Sequence, residues 1–209
     1  MVILGITGGS GTGKSTLAKT LKVFGMETLD CDKIYHEMLL DCSEMIEEIG
    51  TRFNNVSVNG VIDRQRLGGI VWRDPNALND LNNITHKHVN IEIDKRINEL
   101  SEQGNDFISI DAIALIESGQ SKKCDFIIGV IASVEKRIAR IIERDKLTRK
   151  HAKMRVYAQK PDSFYRLNCN CIIENNFKTL EEFEREGYDF FWNLDIDALP
   201  ELIKEEINP

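Results

Sequence analysis

The chain has 209 residues, 42% of them hydrophobic and 29% charged, with a formal net charge of -7. That length suits one domain with a substantial core and is short for two large ones, and no apolar run approaches the roughly 18 residues of a membrane-spanning helix. The acidic balance argues against general affinity for nucleic acid or an anionic membrane surface, so an anionic ligand has to be met by locally concentrated positive charge. Five short apolar runs then punctuate the chain: "VILGI" (2–6), "METL" (26–29), "DFISI" (106–110), "DFIIGVI" (125–131) and "CIIE" (171–174). Four of them are followed by a helix-like segment, which predicts an α/β fold with a parallel sheet covered by helices. Between the second and third runs, "YHEMLLDCSEMIEEIGTRF", "RQRLGGIVW" and "ALNDLNNITHKHVNIEIDKRINEL" all place apolar residues at helical spacing, and predict a mostly helical insertion within the same domain. The five cysteines (Cys31, Cys42, Cys124, Cys169, Cys171) form no CxxC pair and no zinc spacing, and "VILGIT" reaches glycines too soon for a secretory signal. Both observations lead to the expectation of a reducing cytoplasmic setting.

From Glu135 to Arg155 the balance inverts, with nine Lys or Arg against three acids. Within this island Arg137, Arg140 and Arg144 fall on one helical stripe, while Ile138, Ile141 and Ile142 lie opposite. The stripe reads either as a solvated basic face or as a cationic segment for a ligand. The tail "FKTLEEFEREGYDFFWNLDIDALPELIKEEINP" has a helical pattern with clustered aromatics; it predicts packing on the core without a chemical role, or an oligomer contact.

The first apolar run leads into "GITGGSGTGKST", where Gly8, Gly13, Lys14 and Ser15 satisfy the pattern G-x-x-x-x-G-K-[ST] between a strand and the helical segment "STLAKTLKVF". Glycines let successive backbone N–H groups converge on phosphate oxygens beside the positive end of a helix. The predicted phosphate cradle comprises Gly9, Ser10, Gly11, Thr12, Gly13, Lys14, Ser15 and Thr16. Lys14 would reach the β and γ phosphates, and the Ser15 hydroxyl would be a ligand of Mg²⁺. The loop identifies ATP or a related nucleotide as ligand without naming the phosphoryl acceptor: a small-molecule kinase, a nucleotide-dependent switch and a motor-type NTPase all fit.

Two further acids bear on that choice. Asp30 and Asp32 lie where the second apolar run ends, on the rim where open parallel sheets bind ligands. Asp32 can serve as general base for an acceptor hydroxyl, or as N-cap of the following helix. Asp111 ends "FISID" as a Walker B acid would, and either supports magnesium or is structural. The four histidines show no metal-ligand arrangement.

These features occur in the order and spacing of the dephospho-coenzyme A kinase family, which the chain resembles from about residue 3 to residue 176. The carriers are "GITGGSGTGKST", "GMETLDCDKIYHEML", "GVIDRQRLGGIVWRDPNALNDLNNITHKHV", "LIESG", "RIARIIERD", "RVYAQ" and "CIIENN". The resemblance implies a three-layer P-loop kinase fold with a five-stranded parallel sheet, a helical substrate-binding insertion and a short arginine-bearing lid. It places the core at about 1–35, 105–138 and 168–209, the insertion at about 36–104 and the lid at about 139–167, all in one domain. The implied reaction is ATP-dependent phosphorylation of the ribose 3′-hydroxyl of dephospho-coenzyme A, the last step of coenzyme A synthesis. Carried over by motif, Asp32 is the general base, Arg140 a lid arginine stabilising transferred charge, Arg144 and Gln159 lid or phosphate contacts, and Asn175 a neighbour of the adenine. ATP and dephospho-coenzyme A are the implied small-molecule partners, with Mg²⁺, no nucleic acid or membrane, and a monomer or weak homo-oligomer.

The chain departs from the family pattern at "AIALIES" (Ile113 and Ala114), at Lys87 after His86, and at Asn170 and Phe177. These positions touch the expected acceptor and adenine walls and leave the phosphate machinery whole. They keep open a kinase for another nucleoside-like or small hydroxyl acceptor, and a regulatory nucleotide-binding protein without catalysis is the reading from another class.

Overall fold

In the computed structural model, residues 1–58 and 60–194 are described. The chain divides into two compact units: Met1–Leu29 with the described residues from Ser101 onward, and Asp30–Leu100. The elements run β1 (Val2–Thr7), α1 (Lys14–Thr20), β2 (Glu27–Asp30), α2 (Cys31–Asp41), α3 (Ser43–Arg52), β3 (Ser57–Val58), β4 (Val61–Ile62), α4 (Arg64–Val71), α5 (Pro75–Glu102), β5 (Phe107–Asp111), β6 (Phe126–Ile131), α6 (Val134–Asp145), α7 (Arg149–Tyr157), α8 (Asp162–Asn168), β7 (Cys171–Glu174) and α9 (Leu180–Asn193).

All five apolar runs become strands of one sheet, ordered β2-β5-β1-β6-β7. Its pairs β1–β5, β1–β6 and β6–β7 are parallel, with Gly5 opposite Ile110 on one side and Ile127 on the other. β1 lies central, so both its faces are covered and Leu4 and Ile6 are wholly buried. This accounts for the near-continuous apolar run in place of strict alternation. The core on one face joins Leu4, Ile6, Leu17, Leu21, Ile128 and Val130 with Phe183 and Phe191 of the tail.

α9 carries the tail as predicted up to Asn193, and the remainder from residue 195 lies outside the described residues. Its start is fixed by a capping box in which Thr179 Oγ1 accepts from Glu182 N–H and the Glu182 carboxylate accepts from Thr179 N–H. Gly187 lets α9 lie close on α1, since a Cβ there would come within 3.1 Å of Leu17 Cδ1.

In the unit Asp30–Leu100 the insertion is helical, with two differences from expectation. The segment from Tyr35 to Phe53 forms two helices, because Cys42 takes an extended backbone (φ -87, ψ 94) that closes α2 and opens α3. The two-residue strands β3 and β4 pair antiparallel, too short for a periodicity signal. α5 starts with Pro75 in its first turn, where a missing N–H costs nothing, and buries Ala77, Leu81, Ile84, Val89, Ile93 and Ile97 along one stripe.

Candidate active site

The loop from Gly8 to Gly13 joins the C-terminal end of β1 to α1. Two of its glycines are required by conformation and contact. Gly11 has φ +79 and its Cβ would meet the Arg137 carbonyl at 2.7 Å; Gly13 has φ +101 and its Cβ would meet the Phe183 ring at 2.9 Å. Thr12 closes a turn on the Gly9 carbonyl through its N–H (3.3 Å) and its hydroxyl (2.9 Å). Gly13 caps α1 with no side-chain bond, and its carbonyl takes the Thr16 N–H (2.9 Å), so no capping side chain stands between an anion and the positive helix end. Ser15 in that turn is exposed.

Lys14 and Asp111 meet in this unit as an ion pair, both buried (7% and 2% exposed). The pairing joins the start of α1 to the C-terminal end of β5, the edge of such sheets where ligands bind. A phosphate group arriving at Lys14 competes with Asp111 for the ammonium. The Ser15 hydroxyl and the Asp111 carboxylate are hard oxygen donors of the kind Mg²⁺ takes, so the residues present suit that ion.

The basic island divides by function. Arg137 is buried (3% exposed), its Nε donating to the Ser10 carbonyl at 3.1 Å and its Nη2 to Gln159 Oε1 at 2.7 Å. Arg140 donates to the carbonyls of Gly11 (3.2 Å) and Thr12 (3.4 Å) and to Asn175 Oδ1 (2.9 Å). Burial pulls both guanidinium pKa values down. The opposite face of α6 packs Ile138 and Ile141 against Ala152 and Val156 of α7. Arg144 is exposed and bonds Asp145 at 2.7 Å, and Arg155 reaches the same carboxylate at 2.5 Å. These cations hold Asp145 below its ordinary pKa, Arg144 contributing most.

Asn175, 3% exposed, donates from Nδ2 to the Thr12 carbonyl at 2.7 Å while its own N–H bonds the Ile131 carbonyl at 2.8 Å. Its amide is therefore engaged with the loop and with Arg140. Gln159 bonds Ser10 through both atoms of its amide: Oε1 accepts from Ser10 N–H (2.8 Å) and Nε2 donates to Ser10 Oγ (3.0 Å). Sequence reasoning gave Arg137 no site role. Its position three residues before Arg140 on one stripe was the available signal.

In the other unit, Asp30 and not Asp32 caps α2, accepting from Lys33 N–H at 3.0 Å. The capping reading of Asp32 is thereby corrected: its carboxylate is exposed in the first helical turn. Beside it on this helix, His36 Nε2 lies 3.3 Å from Arg64 Nη2. A groove of about 680 Å³ in the same unit is lined by Glu44, Glu47, Glu48 and Asp80 with Arg52. Its sign is wrong for a polyphosphate.

Three of the departures from the family pattern, Lys87, Asn170 and Phe177, have partners of their own. Lys87 pairs with Glu48 at 2.7 Å, Asn170 exchanges two bonds with Ile127 (2.8 and 2.9 Å), and the Phe177 carbonyl accepts from Lys136 at 2.9 Å. Among the described residues no His, Cys, Asp and Glu cluster suits a metal ion by protein ligands alone, and no helix is long and apolar enough to cross a membrane.

A family model described as CoaE, dephospho-CoA kinase, matches residues 2–181. A dephospho-CoA kinase of Fusobacterium nucleatum is 38% identical over 192 residues, covering 88% of this chain and 97% of its own. One of Corynebacterium glutamicum is 31% identical, covering 90% and 94%. Among solved structures, a Thermus thermophilus protein superposes with a TM-score of 0.75 at 30% identity, covering 92% of this chain and 97% of its own. The dephospho-CoA kinase from Campylobacter jejuni does so with 0.65 at 25%, covering 92% and 96%. The chain belongs to the dephospho-CoA kinase family, ATP-dependent phosphotransferases that catalyse the last step of coenzyme A biosynthesis.

Proposed function

We propose that the chain moves the γ-phosphoryl group of ATP to the ribose 3′-hydroxyl of dephospho-CoA, with Asp32 as general base. Asp32 takes the proton of the 3′-hydroxyl as that oxygen attacks the γ phosphorus, the bond to the β–γ bridging oxygen breaks, and ADP leaves. Lys14 neutralises charge on the β and γ phosphates. Ser15 and Asp111 would hold Mg²⁺, which when bound screens the phosphate oxygens. The loop from Gly9 to Thr16 orients the triphosphate through its N–H groups. Arg140 serves the transferred group as a cation holding the loop, and a direct contact requires it to exchange Asn175 Oδ1 for a phosphate oxygen. Arg144 is assigned to the edge of the closing segment. The adenine side is assigned to the neighbourhood of Asn175.

The observation that carries this reading is the joining of Lys14 to Asp111 beside the glycine-capped start of α1, in a chain of this family. Five cysteines without disulfides support a reducing cytoplasmic setting, and the net charge of -7 supports a site with no nucleic-acid partner. A monomer or weak homo-oligomer is the proposed solution state. The test is ADP release by the purified protein with Mg·ATP and a panel of acceptors: dephospho-CoA, adenosine, pantetheine compounds and water. Turnover with dephospho-CoA alone is expected; turnover with another acceptor in its place, or ATP binding without turnover, overturns the assignment.

A further inference from the structure

Arg137 is a buried cation whose two hydrogen-bond acceptors, the Ser10 carbonyl and Gln159 Oε1, are both neutral. Asp162 and Tyr165 act on its charge through space. A guanidinium stays protonated in proteins, and burying it without a hydrogen-bonded carboxylate is costly unless other negative charge is drawn to it. Gln159 occupies the place such a carboxylate would take. Its single amide also fixes both the N–H and the hydroxyl of Ser10, at 2.8 and 3.0 Å. The contact explains a glycine that the phosphate-loop pattern leaves free: a Cβ on Gly9 would lie 2.8 Å from Arg137 Cζ and 2.9 Å from Gln159 Oε1.

We propose that Arg137 and Gln159 form a positioning pair for the triphosphate, in which Gln159 fixes Ser10 and, being neutral, leaves Arg137 without a hydrogen-bonded counter-ion against the phosphate-binding loop. In this pairing both side chains act on the triphosphate through the loop, in place of the direct lid or phosphate contact that the family resemblance implies for Gln159. A cation on the carbonyl side of a peptide polarises its N–H end, and in a low-dielectric setting that charge also attracts the polyphosphate directly. The inference rests on the reading that this loop binds ATP, and on no assumption about the acceptor.

Gln159→Glu separates charge from geometry. Its carboxylate keeps acceptors for Ser10 N–H, for the rotatable Ser10 hydroxyl and for Arg137, so a purely structural brace is served as well as before. It cancels the charge of Arg137. The experiment measures binding of Mg·ATP and thermal unfolding for wild type, Gln159→Glu and Gln159→Met. The expected result is that Gln159→Glu binds ATP about tenfold or more weakly with an unfolding temperature at or above wild type, and that Gln159→Met, which loses bonds without adding charge, binds less weakly than that. ATP binding by Gln159→Glu at wild-type strength, or a loss no greater than that of Gln159→Met, overturns the inference. If Gln159→Glu is poorly folded, Arg137→Lys and Arg137→Met decide. Lysine keeping most of the ATP affinity that methionine loses supports the charge, and equal losses overturn it. Wild-type protein that binds no ATP would instead overturn the nucleotide reading itself.

Discussion

Replacing Asn175 with alanine separates two roles for this residue: a neighbour of the adenine, as the family pattern implies, and a buried support of the phosphate loop. The substitution removes the bond to the Thr12 carbonyl (2.7 Å) and the acceptor for Arg140 Nη2 (2.9 Å), while the backbone bond to Ile131 remains. A buried neutral hydrogen bond contributes about 1 kcal/mol, and one to a charged group about 1.5 kcal/mol at the low end. The low end applies because Arg140 keeps the carbonyls of Gly11, Thr12 and Asn175. The sum, about 2.5 kcal/mol, lowers the unfolding temperature of a domain this size by about 5–10 °C. The assay is differential scanning calorimetry of the protein without nucleotide, followed by ATP and GTP binding to the variant. Loop support predicts the full loss of stability with no nucleotide present and a similar weakening for both nucleotides. An unchanged unfolding temperature, with affinity lost for ATP alone, would remove Asn175 from the support of the loop and put the amide on the base.

Asp32→Asn should bind ATP normally and lose turnover by about 10²-fold or more, the usual worth of a general base; near-normal turnover in a steady-state assay would remove Asp32 from the chemistry. Arg140→Ala should mainly lower the rate of phosphoryl transfer in single-turnover kinetics, with a smaller effect on nucleotide affinity, and unchanged turnover would end its assignment. Thr179→Ala removes the cap of α9 and should cost about 1 kcal/mol in denaturant unfolding, with activity kept. The Glu182 carboxylate in that box is held below its ordinary pKa, chiefly by the Thr179 N–H and then by that of Lys178. A depressed pKa contributes stability that is present above the ordinary carboxylate range and lost as pH falls through the folded value, so the cap should weaken on acidification. An α9 whose stability is flat across that range contradicts this sign.

The three inner strands were legible because a doubly covered parallel strand must be apolar along its whole length, and the partly exposed edge strands β2 and β7 still left short apolar runs bounded by turns. The phosphate loop was legible because its glycines, Lys14 and Ser15 are consecutive in the chain. What binds the loop from behind was not: Gln159 meets Ser10 across 149 positions, and Asn175 meets Thr12 across 163. No local periodicity carries such contacts. The break at Cys42 was hidden because an extended residue between two amphipathic helices leaves the apolar spacing nearly intact. The cap of α2 fell to Asp30 over Asp32 by a two-residue choice that depends on where β2 ends, and element ends are the least determined feature of a pattern. The arginine stripe was legible as charge, but only packing of α6 on α7 fixes which arginines face the loop.

Phosphorylation of the ribose 3′-hydroxyl of dephospho-CoA by this chain is decided by the identity of the product. Phosphorus NMR of the reaction of purified protein with Mg·ATP and dephospho-CoA should show a new phosphomonoester on the 3′ oxygen, growing in step with ADP. ADP formed without that phosphomonoester, or a phosphate found on another hydroxyl, would contradict it.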